Sequence, residues 1–281
     1  MKQILYAAIA VGALCCMSAC GKKAQTQSES EEPAPKYLVL YYSQEGNTRQ
    51  VAEELQKHLN ADIEAIELED PYPADYDQTI ARCRQERADS VTPAIKPLKS
   101  DINSYDVVFL GYPVWFGTYA LPIATLLKEQ KFEGKTVVPF CTFGSGGLES
   151  STADLRAALP NATVAEGYGV RSARLAAMPR EVNRFLIEHE YIDGEVTALP
   201  GYSEQQPVTD EEKAIFDAAC SGYRFPLGTP VTAGRRGTDE GVDFEFVVNA
   251  TDFNGNPVTA TIYVTVPNGD NAQPEFTRVV R

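Results

Sequence analysis

From residue 36 to about residue 190 the chain alternates between short apolar runs and segments whose apolar residues recur at helical spacing. "KYLVLYYS" (36–43) is continuous apolar, β-branched and aromatic sequence, as in a strand buried on both faces. Val51, Leu55 and Leu59 follow at helical spacing. "ADIEAIEL" (61–68) alternates as a second strand, and a long excursion over 70–103 holds a short helix near 77–88. "YDVVFLGYP" (105–113), "KTVVPFCTF" (135–143) and "TVAEGYGV" (163–170) supply strands three to five. Helices follow from Pro122, from about Ser151 to Leu159, and from Pro179. Strands alternating with helices fold into a parallel sheet with right-handed crossovers and helices on both faces. The expectation is an α/β, doubly wound five-stranded parallel sheet, with ligands bound outside the carboxyl ends of its strands.

The pattern changes after residue 195. "EVTALPGYSEQQPV" reads as a linker, placed at 196–208. "TDEE" at 209–212 then forms a capping box, with Thr209 at the N-cap and Glu212 three residues on. Strands are expected at 243–251 and 258–266, around a turn at Asn254-Gly255, and again in "EFTRVV". A helix followed by antiparallel strands makes 209–281 a second, small α+β domain.

Ahead of both domains, Lys2 and the eleven-residue apolar run Ile4–Leu14 have the form of an export signal, too short to span a bilayer. "MSACG" (17–21) resembles the lipobox of bacterial lipoproteins, with Met17 where that pattern has leucine. The resemblance implies that residues 1–20 are a signal ending at Cys20, the lipidated residue. It also implies an exported protein, held extracytoplasmically to a bacterial membrane by its lipid alone. Polar "GKKAQTQSESEEPAP" (21–35) reads as a flexible tether.

Composition narrows the chemistry. The net charge of −14 repels nucleic acid and favours basic protein partners. Beyond the signal, Cys83, Cys141 and Cys220 are odd in number and widely spaced, so they make neither a disulfide framework nor a CxxC metal site. The two histidines, His58 and His189, lie in helical patterns and leave little from which to build a zinc site or a Ser/His/Asp triad.

Three segments follow strands one, three and four, where such a fold places its ligand. Ser43-Gln44-Glu45-Gly46-Asn47-Thr48 joins a buried strand to a helix N-terminus, whose N–H groups bind phosphate. Hydroxyls and an amide add donors, and no lysine makes it a GxxxxGK[ST] loop. "GYPVWFGTYALP" (111–122) gathers Tyr112, Trp115, Phe116 and Tyr119. "CTFGSGGLESS" (141–151) offers glycines at which a ligand edge can approach backbone amides.

The first segment resembles the S/T-x-T-G-N-T phosphate loop of flavodoxins, with Glu45 in place of threonine. The second is similar to a P-x-W-x-G-x-x-P loop of flavodoxin-like proteins through Pro113, Trp115, Gly117 and Pro122. The third corresponds to the loop that contacts the far side of the flavin. The resemblance spans about 36–190, the larger part of a domain placed at 36–195. It implies FMN held by Ser43, Gln44, Glu45, Gly46, Asn47 and Thr48 at the phosphate. Around the ring it implies Pro113, Val114, Trp115, Phe116 and Gly117, and on the far side Thr142, Phe143, Gly144, Gly146 and Gly147. Trp115 is expected to cover one ring face. The flavin carries the redox chemistry, so no catalytic residue is nominated. The C-terminal domain, with "PVTAG" at 230–234, resembles cystatin-like domains of bacterial lipoproteins. Pro230 and Thr232 depart from the inhibitory Q-x-V-x-G loop, which points to docking or spacing rather than inhibition.

The expected function is FMN-dependent electron transfer, to a protein partner with a basic face or to a small quinone-like acceptor. The alternative is a flavin-free flavodoxin fold serving a binding lipoprotein as a docking module.

Overall fold

The computed structural model describes residues 34–251, 255–269 and 271–281. The export signal, Cys20 and nearly all of the tether lie outside the described residues, as does Asn254 of the expected turn. No helix among the described residues is long and apolar enough to cross a membrane.

The elements run β1 (Tyr37–Tyr41), α1 (Asn47–Leu59), β2 (Asp62–Ala65), α2 (Tyr76–Ala88), β3 (Val107–Trp115), β4 (Thr118–Tyr119), α3 (Leu121–Glu129), β5 (Thr136–Phe143), α4 (Leu148–Ala158), β6 (Thr163–Val164), β7 (Tyr168–Arg171) and α5 (Met178–Glu188). The second half holds β8 (Gln206–Pro207), α6 (Asp210–Cys220), β9 (Thr229–Thr238), β10 (Gly241–Thr251), β11 (Pro257–Pro267) and β12 (Glu275–Val280).

The first sheet has the order β2-β1-β3-β5, with β6 and then β7 along the outer side of β5, all parallel. This is the expected doubly wound arrangement. Period-two alternation explains why both faces are covered. Leu38 and Leu40 of β1 point to one core with Val108, Leu110, Ile123 and Leu155. Val39 and Tyr41 point to the other with Val51, Leu55, Phe109, Phe140, Val182 and Leu186. The expected fifth strand is interrupted, because Ala165–Gly167 leave the ladder between β6 and β7. Gly167 packs there against Pro139, a Cβ on it standing 2.4 Å from the Pro139 carbonyl oxygen.

The second sheet is antiparallel, β12-β11-β10-β9-β8, and α6 covers it through Phe216. Its capping box is formed as expected, Thr209 and Glu212 each satisfying the other's backbone N–H. Two features differ from the sequence reading. The linker is not free, since Gln206–Pro207 pairs with β9 and the Ser203 N–H donates to the Arg235 carbonyl at 2.9 Å. "PVTAG" lies inside the unexpected strand β9, paired along β10, and forms no loop. Its glycines and Pro230 concealed a strand held by its neighbours rather than by propensity.

Both sheets belong to one compact unit, Pro35–Arg281. The Val279 N–H of β12 donates to the Ser145 carbonyl at 2.7 Å, and a Cβ on Gly146 would stand 2.2 Å from the Val279 carbonyl oxygen. Arg171 donates to the Gly144 carbonyl at 2.8 Å and to the Phe276 carbonyl at 2.6 Å, its guanidinium 4.2 Å from the Phe276 ring centre. Arg174 bridges Glu181 and Glu275, each at 3.0 Å.

Candidate functional site

The three segments converge at the carboxyl edge of the parallel sheet. The Thr48 and Thr142 hydroxyls meet at 2.9 Å, tying the first to β5. Ser150 donates to the Gly117 carbonyl at 2.6 Å, and a Cβ on Gly147 would stand 2.6 Å from Val114. These contacts join the second and third.

The first segment turns through Gly46, whose φ of 87° is left-handed and suits glycine. It starts α1 without a side-chain cap. Ser43 Oγ accepts the N–H groups of Gly46 (3.1 Å) and Arg49 (3.3 Å), so its own O–H is left to donate elsewhere. The N–H groups of Glu45, Asn47 and Thr48 find no acceptor among the described residues. Of the two threonine hydroxyls, one donates to the other and one O–H remains. The result is a cluster of directed donors at the start of a thirteen-residue helix, which suits an anion. The Gln44 side chain is engaged within the protein: its Oε1 accepts the Tyr42 hydroxyl at 2.6 Å and its Nε2 donates to the Pro73 carbonyl at 2.9 Å. Glu45 is exposed, and Arg49 lies close, its guanidinium 3.7 Å from where a Gly46 Cβ would stand.

The second segment is mostly strand. Pro113, Val114 and Trp115 end β3, and Trp115 pairs with Thr118 around a two-residue turn. Tyr112 is fully buried with its hydroxyl 3.2 Å from Ser151, so it is core rather than loop. Trp115 is half-buried and meets Tyr42 and Tyr72 edge-on, at 5.9 and 5.2 Å. The free ring at the tip is Phe116, 44% exposed. Its φ of 53° and the 81° of Gly117 are both positive, as the tight primed hairpin turn demands, and a phenylalanine takes that conformation at a cost. The Arg87 guanidinium stands 5.4 Å from its ring centre.

The third segment is shorter than expected. Thr142 and Phe143 are buried strand residues, α4 begins three residues early at Leu148, and Gly144–Gly147 alone make the turn. The N–H groups of Ser145 and Gly146 have no acceptor among the described residues. Arg49, Arg87 and Arg171 bring positive charge to this edge of an acidic protein. Sequence reasoning missed all three, since only the crossover geometry places them here.

Residues 36–177, just over half of the chain, match the flavodoxin family. The chain belongs to that family. Solved structures similar to this flavodoxin include a candidate flavoprotein from Bacteroides eggerthii DSM 20697. It is 32% identical over 54% of this chain and 96% of its own, with a TM-score of 0.49. Another is a flavoprotein from Lactobacillus acidophilus NCFM in complex with FMN. It is 26% identical over 54% of this chain and 98% of its own, with a TM-score of 0.46. No curated protein matches the chain.

Among the described residues no cluster of side chains could hold a metal ion. Burial pushes the thiols of Cys83 and Cys220 up to about 11 and about 12, and that of Cys141 higher still. None supplies a thiolate at neutral pH. A phosphate-bearing planar cofactor fits this edge. It has an anion cradle at one end, an exposed ring at the hairpin tip and unused N–H donors on the far side.

Proposed function

We propose that this flavodoxin binds FMN at the carboxyl edge of its parallel sheet and serves electron transfer. The observation that carries the reading is the cradle of unpaired donors at Ser43–Thr48, with Phe116 exposed at the tip of the β3–β4 hairpin. Ser43, the N–H groups of Glu45, Asn47 and Thr48, and the spare threonine hydroxyl hold the phosphate. Phe116 offers a ring face, and the Ser145 and Gly146 N–H groups the polar-edge contacts. Bound FMN supplies one- and two-electron redox chemistry. The chain binds and orients it and sets its potential by charge and hydrogen bonds. The acceptor is a protein with a basic face, matched to the net charge of −14, or a small quinone-like molecule.

Titration with FMN tests this. Saturation should quench the fluorescence of Trp115, the one tryptophan in the chain, and give bound-flavin absorption bands. Phe116→Ala should weaken FMN by about two- to tenfold, the worth of one aromatic stacking contact. No uptake by the unaltered protein would leave the flavin-free docking module as the better reading.

The protein is further proposed to be a lipoprotein, exported and anchored through Cys20, with a cystatin-like C-terminal domain. The support is the "MSACG" pattern and the helix-plus-antiparallel-sheet plan of residues 206–280. Cys20→Ser should move the protein from the membrane to the soluble fraction with FMN affinity unchanged. A mature N-terminus elsewhere, or no acyl mass on the intact protein, refutes the anchor.

A further inference from the structure

The turn Gly144–Gly147 is built by both halves of the chain. Arg171 holds the Gly144 carbonyl, and the Val279 N–H of β12 holds the Ser145 carbonyl. A peptide plane is rigid and trans, so its C=O and the next residue's N–H point in opposite directions. Fixing the Gly144 carbonyl therefore aims the Ser145 N–H away from Arg171. Fixing the Ser145 carbonyl aims the Gly146 N–H away from β12. These are the two N–H groups with no acceptor among the described residues. Gly146 is glycine because β12 comes so close that any side chain would strike the Val279 carbonyl. Arg171 is itself held by the C-terminal half: its guanidinium lies 4.2 Å from the Phe276 ring centre and 5.6 Å from that of Tyr223, two rings that touch each other, and it donates to the Phe276 carbonyl. Arg278, also on β12, pairs with Glu149 in the first turn of α4, at 3.6 Å.

We propose that the C-terminal sheet is a working wall of the flavin site: through Val279 and Arg171 it presets two backbone donors for the polar edge of the isoalloxazine ring. The inference rests on the reading of this edge as an FMN site, and it gives the second domain a role in that site. A preset donor costs no ordering when the ring arrives, so it adds to affinity. A donor aimed at a ring oxygen favours the form with more negative charge there, so it raises the reduction potential. The coupling is reciprocal, and ring binding must in turn steady β12.

The first variant is Val279→Pro. Val279 lies on an edge strand and its N–H points away from β11, so proline removes the bond to Ser145 while sparing the ladder. Gly146→Ala breaks the same contact from the other side. Each should weaken FMN and riboflavin by the same factor, about five- to tenfold, as expected for one well-placed hydrogen bond and its preorganisation. Each should also lower the flavin midpoint potential. Arg180→Ala, which removes the Arg180–Glu240 pair elsewhere between the two halves, should change neither. On the unaltered protein, FMN saturation should slow hydrogen exchange at the Val279 amide, a readout that survives even if both variants fold poorly.

Unaltered protein that takes up no flavin overturns the parent reading and this inference together. Flavin binding with no change at Val279 on exchange overturns this inference alone. So does equal affinity and potential in folded Val279→Pro and Gly146→Ala.

Discussion

Gly111→Ala lowers the unfolding free energy by about 3 kcal/mol, the upper end for inserting a methyl into a packed core. Gly111 sits in β3, between β1 and β5, paired in register with Phe140. The Phe140 ring lies across it. A Cβ on Gly111 would meet three ring atoms at 2.1, 2.4 and 2.8 Å. Phe140 is 1% exposed and packed among Val138, Phe109 and Val182, so it has little room to swing aside. The melting temperature should fall by roughly 6–12 °C for a chain of this size. Phe140→Leu is destabilising alone, yet the double variant should recover part of the loss, because the smaller side chain makes space for the new methyl. Calorimetry of the four proteins closes the cycle. A Gly111→Ala cost under about 0.5 kcal/mol, or strictly additive costs, would show that the ring over Gly111 does not restrict it.

Riboflavin binds about 10²- to 10⁴-fold more weakly than FMN. The difference between the two ligands is the phosphate, and the first segment offers it at least two hydrogen bonds to an anion, worth roughly 1.5–3 kcal/mol each. Glu45 works against this. At about 6 Å, a carboxylate opposes each phosphate charge by roughly 0.7 kcal/mol at the dielectric of water and about 3 at an effective value of 20. Glu45 is exposed and Arg49 lies at the same turn, so the smaller figure applies. Glu45→Thr should tighten FMN by about threefold, less with added salt, and leave riboflavin unchanged. Calorimetric titration of both ligands against both proteins decides it. Equal affinity for FMN and riboflavin would mean that Ser43–Thr48 is an ordinary strand-to-helix turn and no phosphate loop.

The α/β half was legible because its signals are local. An apolar run buried on both faces, such as "YLVLY", followed by Val51, Leu55 and Leu59 at helical spacing, admits few other folds. The positions of the three ligand segments followed from topology alone, since a parallel sheet puts its strand ends on one edge. What stayed hidden depends on tertiary neighbours. Tyr112 and Trp115 lie three residues apart in one aromatic stretch, but β3 runs on to Trp115 and buries Tyr112 completely. Gln44 counts as one residue of the loop in the sequence, and only the fold shows its amide engaged by Tyr42 and Pro73. β9 has the composition of a loop and is a strand because β10 and β8 flank it. The third segment was read for its glycines, as a place where a ligand edge comes close. At Gly146, the group that comes close is β12 of the same chain.

The hairpin tip bears on how this family varies. A left-handed residue other than glycine or asparagine costs roughly 1 kcal/mol or more, and Phe116 bears that cost while 44% exposed. The Arg87 guanidinium over the ring returns roughly 0.5–1 kcal/mol, which offsets the strain only in part. Asparagine or glycine would make the same turn more stably, so a lineage that stopped carrying flavin would drift toward them. Under the proposed role of Phe116, relatives that hold a ring are expected to keep an aromatic residue before the glycine of this turn. Its loss, readable in a single codon, would sort carriers from non-carriers without purifying either.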